Sequence, residues 1–374
     1  MFYREVGEFK TSYRSDGQTF PIALDRHAYY ALLGVAFLVV PFLLNDYWVK
    51  AIVLPFLIYS IAALGLNILT GYCGQVSLGS GGFMAVGAYS CYKFMTGFDV
   101  YLPAEAGEWV RYALPPINVF FSVLLGGVMT ALVGILFGLP SLRIKGFYLA
   151  VATLAAQFFL VWLFNKWEWA FNYSASGQIT APERAVFGID VTGPSTSAWA
   201  TYLFCLVFAV VLALVARNLT RGHLGRSWMA IRDMDIAAEI IGVNPLKAKL
   251  TAFGISSFYI GISGALLFAV YLGAAEVGEV FGIQKSFLVL FMVIIGGLGS
   301  VLGSFLGAAF MVLLPVALKN LLVGQLGWAT DIAAHLDFVI VGALIIVFLI
   351  LEPHGLAQLW RTIKQKLRLW PFPH

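Results

Sequence analysis

The chain has 374 residues, 60% of them hydrophobic and 11% charged, with a mean hydropathy of +0.88 and a formal net charge of +4. A soluble globule needs more charged surface than this, so the sequence reads as one polytopic, all-α integral membrane domain. Cys73, Cys91 and Cys205 are the three cysteines, all in apolar surroundings, which argues against a disulfide framework.

Residues 1–27 are polar and mixed in charge, with no short apolar core followed by a small-residue cleavage site. They read as a tail, and the first span is expected to direct insertion. Ten apolar stretches near the length needed to cross a bilayer come after it, at about 28–44, 51–69, 76–95, 115–139, 147–164, 200–216, 251–273, 286–299, 303–323 and 337–351. Ten spans place both termini on one side. Arg4, Lys10, Arg14, Arg26, Arg143, Lys145, Arg217, Arg221, Arg226, Arg232, Lys247, Lys249, Arg361, Lys364, Lys366 and Arg368 fall on that side. Lys50, Lys93, Arg111, Lys166, Arg184, Lys285 and Lys319 fall on or near the other. That bias predicts cytoplasmic termini. The permease domain then covers 28–356, and 357–374 is a basic cytoplasmic tail.

Glycine clusters twice, in GYCGQVSLGSGGFMAVGAY from Gly71 and in GGLGSVLGSFLGAAF from Gly296. The second cluster reads as close helix packing, where small residues let backbones approach. The first reads as a re-entrant or broken helix near 71–82 beside a pathway, because Gln75 and Ser77 lie within it and Asn67 one turn before it.

On the opposite side, residues 96–114 form an acidic, Pro-containing loop. Residues 165–199 carry Trp167, Trp169 and Trp199, which fit an interfacial aromatic belt.

The long polar stretch is 217–249, RNLTRGHLGRSWMAIRDMDIAAEIIGVNPLKAK. The pattern predicts a helix from about Ser227 to Ile241, stopped at Gly242, with Ile231, Met234, Ala238 and Ile241 on one apolar face. Such a helix either docks into a groove on a soluble partner or lies on the membrane surface.

Several chemistries lack their residues. There is no Gly-rich phosphate loop, no His/Cys metal spacing and no nucleophile–base set in the spans, so no metal, cofactor or catalytic residue is expected. No acid falls at the middle of an apolar segment, which weighs against proton-coupled transport. An uptake permease driven by a separate ATPase accounts for the loop and for both absences. A secondary transporter or facilitator of small polar solutes such as amides or urea is the alternative.

The segments GRSWMAIRDMDIAAEIIGVNPLKAKLTAF (Gly225 to Phe253), GLNILTGYCGQVSLG (Gly65 to Gly79), GGLGSVLGSFLGA and LEPHGL (Leu351 to Leu356) resemble the signatures of LivM-like permeases of branched-chain amino acid ABC importers. The resemblance runs in order from about residue 50 to 356. It implies a bacterial inner-membrane subunit in lipid, partnered by a second homologous permease, two cytoplasmic ATP-binding subunits and a periplasmic substrate-binding protein, with no nucleic acid. It places Ala237, Ala238 and Gly242 on the small-residue core of the ATPase-coupling helix, with Arg232, Asp233, Asp235 and Glu239 around it. The usual acid at the start of that motif is Ile236 here, one position after Asp235. The residues expected beside the substrate pathway are Asn67, Tyr72, Gln75 and Ser77, with Thr153 and Gln157 on the fifth span.

Overall fold

A computed structural model describes residues 11–12, 23–43, 45–103, 109–141, 148–186, 188–193, 196–327, 330–352 and 354–369. Most of the 1–27 tail, with Arg4, Lys10 and Arg14, lies outside the described residues, as do Arg143 and Lys145.

Each of the ten apolar segments contains a helix, with the stretches 76–79, 115–118 and 297–299 left outside. The helices are α1 (Arg26–Leu43), α2 (Asp46–Tyr72), α3 (Ser80–Thr96), α4 (Val119–Ser141), α5 (Tyr148–Lys166), α6 (Ala198–Arg221), α9 (Pro245–Leu272), α10 (Val277–Gly296), α11 (Val301–Gln325) and α12 (Thr330–Leu351). Among the described residues, eight of these are long and apolar enough to cross a bilayer. Of the other two, α3 has 17 residues, and α12 runs 22 residues with Val339–Phe348 apolar among those described. Two short helices, α7 (His223–Asp233) and α8 (Asp235–Ile240), join α6 to α9, and α13 (Leu356–Leu369) comes after α12.

The centre of the bundle is α9, packed on α2, α3 and α4. Glycine makes this possible. A Cβ on Gly87 of α3 would lie 2.1 Å from the Gly261 carbonyl oxygen of α9, and one on Gly264 2.0 Å from that of Met84, so these backbones touch directly. The later glycine cluster does the same between α10 and α11, where a Cβ on Gly307 would meet the Met292 carbonyl oxygen at 1.8 Å. Gly87 of the first cluster is therefore a packing position too, a role the sequence assigned only to the second cluster. α1 is peripheral, tied on by the Tyr202 hydroxyl donating to the Ala36 carbonyl at 2.8 Å.

The bundle has two distinct ends. One carries three small antiparallel sheets, pairing 98–103 with 109–114, 179–180 with 274–275, and 184–186 with 189–192. There Lys93 donates to the Asn172 side chain and sits 4.0 Å over the Trp169 ring, and Arg184 donates to the Met95 carbonyl at 3.1 Å. The other, basic end gathers the α2–α3 connection, the 222–244 loop, the α10–α11 turn and α13. This is where the candidate site lies.

Candidate functional site

The 222–244 loop is anchored before it is exposed. α7 buries Gly225, Trp228 and Ile231, three residues apart on one face. Trp228 is fully buried, and its indole N–H donates to the Thr251 hydroxyl of α9 at 3.2 Å. A Cβ at Gly225 would press on the Thr220 carbonyl at 2.1 Å, so the chain turns tightly back on the end of α6.

The single helix expected over Ser227–Ile241 is two helices. Met234 adopts an extended backbone (φ −162°, ψ 103°) between α7 and α8, and the break turns α8 away from the direction of α7. The expected apolar face is thereby divided. Ile231 and Ala238 turn inward and are buried, whereas Met234 and Ile241 turn outward at 64% and 75% exposure, joined by Ile236 at 63% and Ile240 at 82%. The stop at Gly242 is as expected. Its φ is +90°, the Gly242 N–H donates to the Glu239 carbonyl at 3.0 Å and the Val243 N–H to the Ala238 carbonyl at 3.0 Å, a Schellman ending. The result is an exposed apolar knuckle on a well-anchored base. Asp235 lies 4.0 Å from Lys249 at its edge, while Ala237 and Glu239 are exposed.

Arg232 points the other way, into the bundle. Its Nη1 donates to the Gly71 carbonyl at 3.0 Å, the stem packs on Gly74, and Nε and Nη2 reach Asp233 at 3.0 and 2.9 Å. Gly71 sits in the π-turn Ile68–Tyr72 that ends α2, and residues 73–79 beyond it are non-helical until Ser80. So a break near 71–82 is present, and the loop grips its upstream edge. Gly74, at φ +73°, takes the reversal that a side chain would strain.

Asn67, one turn earlier, clasps the α10–α11 turn. Its Oδ1 accepts from the Gly299 N–H at 2.9 Å, and its Nδ2 donates to the Ser300 carbonyl at 2.8 Å and the Ser304 hydroxyl at 2.9 Å. A Cβ on Gly71 would lie 2.2 Å from the Gly299 nitrogen. Tyr72 is half-buried, its hydroxyl facing the Thr220 side chain and the Val301 backbone.

The start of α3 presents backbone N–H groups that no helix turn can satisfy. Side chains from α5 and α10 take them. Thr153 Oγ1 accepts from Leu78 at 2.9 Å, the Ser286 hydroxyl from Gly81 at 2.8 Å, and Gln157 Oε1 from Gly82. Ser286 also donates to Gln157 Oε1 at 3.0 Å, and Gln157 Nε2 donates to the Phe281 carbonyl at 2.8 Å. Thr153 and Gln157 are thus buried caps of α3. Ser77 is buried as well, accepting from Gly79 at 3.4 Å. Gln75 differs: its side-chain carbonyl oxygen is buried without a hydrogen-bond partner among the described residues.

Sequence reasoning missed Trp228 and Ser286. The three-residue spacing of Gly225, Trp228 and Ile231 was a usable signal for the first. Nothing local marks Ser286, whose partners lie 129 and 205 residues away. Among the described residues no group of His, Cys, Asp and Glu could hold a metal ion.

The family described as branched-chain amino acid transport system / permease component matches residues 49–349. The high-affinity branched-chain amino acid transport system permease protein LivM of Salmonella typhimurium is 30% identical over 325 residues, covering 82% of this chain and 69% of that protein. The protein of the same name from Escherichia coli gives the same figures. The autoinducer 2 import system permease protein LsrC of an Enterobacter strain is 25% identical over 241 residues, 63% of this chain and 64% of that protein. No solved structure matches the chain.

Proposed function

The chain belongs to the branched-chain amino acid transport permease family, and from that premise we propose that it is the membrane-spanning subunit of an ATP-driven importer of branched-chain or related amino acids. ATP is hydrolysed on partner chains. A second homologous permease completes the translocator, two ATP-binding subunits sit at the basic end, and a substrate-binding protein delivers the solute at the sheet end. The positive-inside bias of the sequence supports a cytoplasmic basic end in a bacterial inner membrane.

The observation that carries this reading is the knuckle of Met234, Ile236, Ile240 and Ile241, apolar and exposed, on a base tied to α2 through Arg232. Apolar side chains at a polar end of a membrane protein call for a partner surface. Ala237, Asp233, Asp235 and Glu239 lie around it and suit the rim of such a contact. When the ATPases close, the knuckle moves with them. Arg232 pulls on the end of α2, and Asn67 carries that displacement to the α10–α11 turn. The α2–α3 break is the part of the backbone able to open, with Gln75 at its edge offering an acceptor to the ammonium of a passing amino acid. Asn67, Thr153 and Gln157 act there by holding the break in shape. Tyr72 and Ser77 flank it.

The test is ATP-dependent leucine uptake by the full complex in proteoliposomes, comparing wild type with Ile240→Glu/Ile241→Glu. Both side chains are solvent-exposed, so the variant should fold and insert normally while losing ATPase association and uptake together. Gly242 is left alone, because any side chain at φ +90° would strain the loop itself. Uptake that persists in the variant, or that runs without ATP, would overturn the reading.

A further inference from the structure

Only four residues separate the end of α12 at Leu351 from the start of α13 at Leu356. The five steps from Leu351 to Leu356 reach at most about 18 Å, so the helix starts close to the bilayer surface that α12 leaves. Gly355 (φ +78°) makes the turn and packs on the α10–α11 turn, where its Cβ would lie 2.6 Å from Gly297. Leu356, Leu359, Trp360 and Ile363 recur at helical spacing along one side, and Trp360 and Ile363 remain about half exposed, 52% and 48%. Lys364 and Lys366 border that side, and Arg361 lies further round beyond Lys364.

Between α13 and the start of α11 lies a cavity of about 400 Å³ with Leu302 and Trp360 on its apolar wall and Arg361, Lys364, Gln365 and Ser300 on its polar one. A neighbouring cavity of about 340 Å³ shares Arg361 and Ser300 and adds His354.

We propose that α13 is an anionic-phospholipid-binding helix. It lies in the membrane interface at the basic end, Trp360 and Ile363 enter the acyl boundary, and Arg361 and Lys364 hold the lipid phosphate in the cavity against Ser300. The half-apolar lining selects this occupant: a free phosphate would have no use for Leu302 and Trp360, whereas a lipid places glycerol and acyl carbons there. An amphipathic helix with basic flanks gains from both apolar insertion and the negative leaflet. This assignment does not depend on how transport is powered.

The experiment uses the full chain in nanodiscs of phosphatidylcholine with or without phosphatidylglycerol. Retained lipid is read by native mass spectrometry, and Ile363→Cys carries a fluorophore quenched by spin-labelled lipid. Cys73, Cys91 and Cys205 are buried, so labelling falls on the introduced thiol. Wild type should retain phosphatidylglycerol in preference to phosphatidylcholine, with position 363 quenched. Arg361→Gln/Lys364→Gln should bind phosphatidylglycerol about 30-fold more weakly, roughly fivefold for each charge, and Arg361→Lys/Lys364→Arg should keep it. Three results would each overturn the proposal: equal retention by the glutamine variant, release of the lipid by excess inorganic phosphate, or a label at 363 that lipid does not quench and only an added ATPase subunit shields.

Discussion

The guanidinium of Arg232 donates to the carbonyl of Gly71 at 3.0 Å, across 161 residues of sequence, and so joins the polar loop to the point where α2 stops being a helix. A carbonyl in a terminal π-turn lacks a full helical partner, and a cation is a strong donor for it. The contact makes the loop and the α2–α3 break one mechanical unit.

Replacing Arg232 with Gln removes the charge and shortens the reach. A hydrogen bond to a charged group contributes about 1.5–3 kcal/mol, so the latch should weaken at least tenfold. In reconstituted complexes, uptake per ATP hydrolysed should fall by about that factor while the ATPase subunits stay bound. Unchanged coupling would remove Arg232 from the mechanism.

Asn67 makes three hydrogen bonds to the α10–α11 turn and the first turn of α11. Asn67→Ala leaves the Gly299 N–H and the Ser300 carbonyl without these partners, at about 1–3 kcal/mol for each buried group left unmet. The detergent-solubilised protein should melt at a clearly lower temperature. Asn67→Ser, which cannot span both groups, should recover only part of the loss.

Gly87 and Gly261 allow α3 and α9 to touch. Gly87→Ala places a methyl 2.1 Å from a backbone oxygen, which forces the helices apart and should cost about 1–3 kcal/mol or more. Gly34→Ala on α1 meets nothing within 4 Å and serves as the control. Comparing the folded yield of the two variants checks the packing directly.

Cys73 lies just beyond α2, buried, and burial pushes its thiol up to about 12, with Lys249 pulling weakly the other way. The neutral thiol is favoured in the fold, so below the ordinary value of 9.0 this group is silent. As pH rises from there towards 12, the unfolded chain gains by ionising and the folded state loses stability. At neutral pH a thiolate-directed reagent should modify Cys73 very slowly, and faster during turnover if the break opens. A rate unaffected by turnover would place the opening elsewhere.

Much of this protein is legible in its amino-acid order alone. The ten apolar segments, the basic loop at 217–249, the stop at Gly242 and the interruption near 71–82 all arise from local properties: run length, charge and glycine. A segment's transfer into lipid depends on its own side chains, which is why these readings carry over into the fold. The family signatures are likewise continuous stretches of chain.

Tertiary structure decided which groups the polar residues bond. Asn67, Thr153 and Gln157 looked like pathway groups because a buried polar side chain in an apolar helix demands a partner, and sequence cannot name that partner. In the fold the partners are chiefly backbone groups 75 to 233 residues away, at the start of α3 and in the turn after α10. The break at Met234 is similar. Helical periodicity put Met234 and Ile241 on one face with Ile231 and Ala238, but burying Trp228 against Thr251 fixes α7, while the chain must still reach Pro245 at the head of α9. One straight helix does not meet both anchors, so the backbone extends at Met234 and the apolar side chains beyond it face outward. Hydropathy is a property of segments, whereas direction and partnership belong to the packed whole.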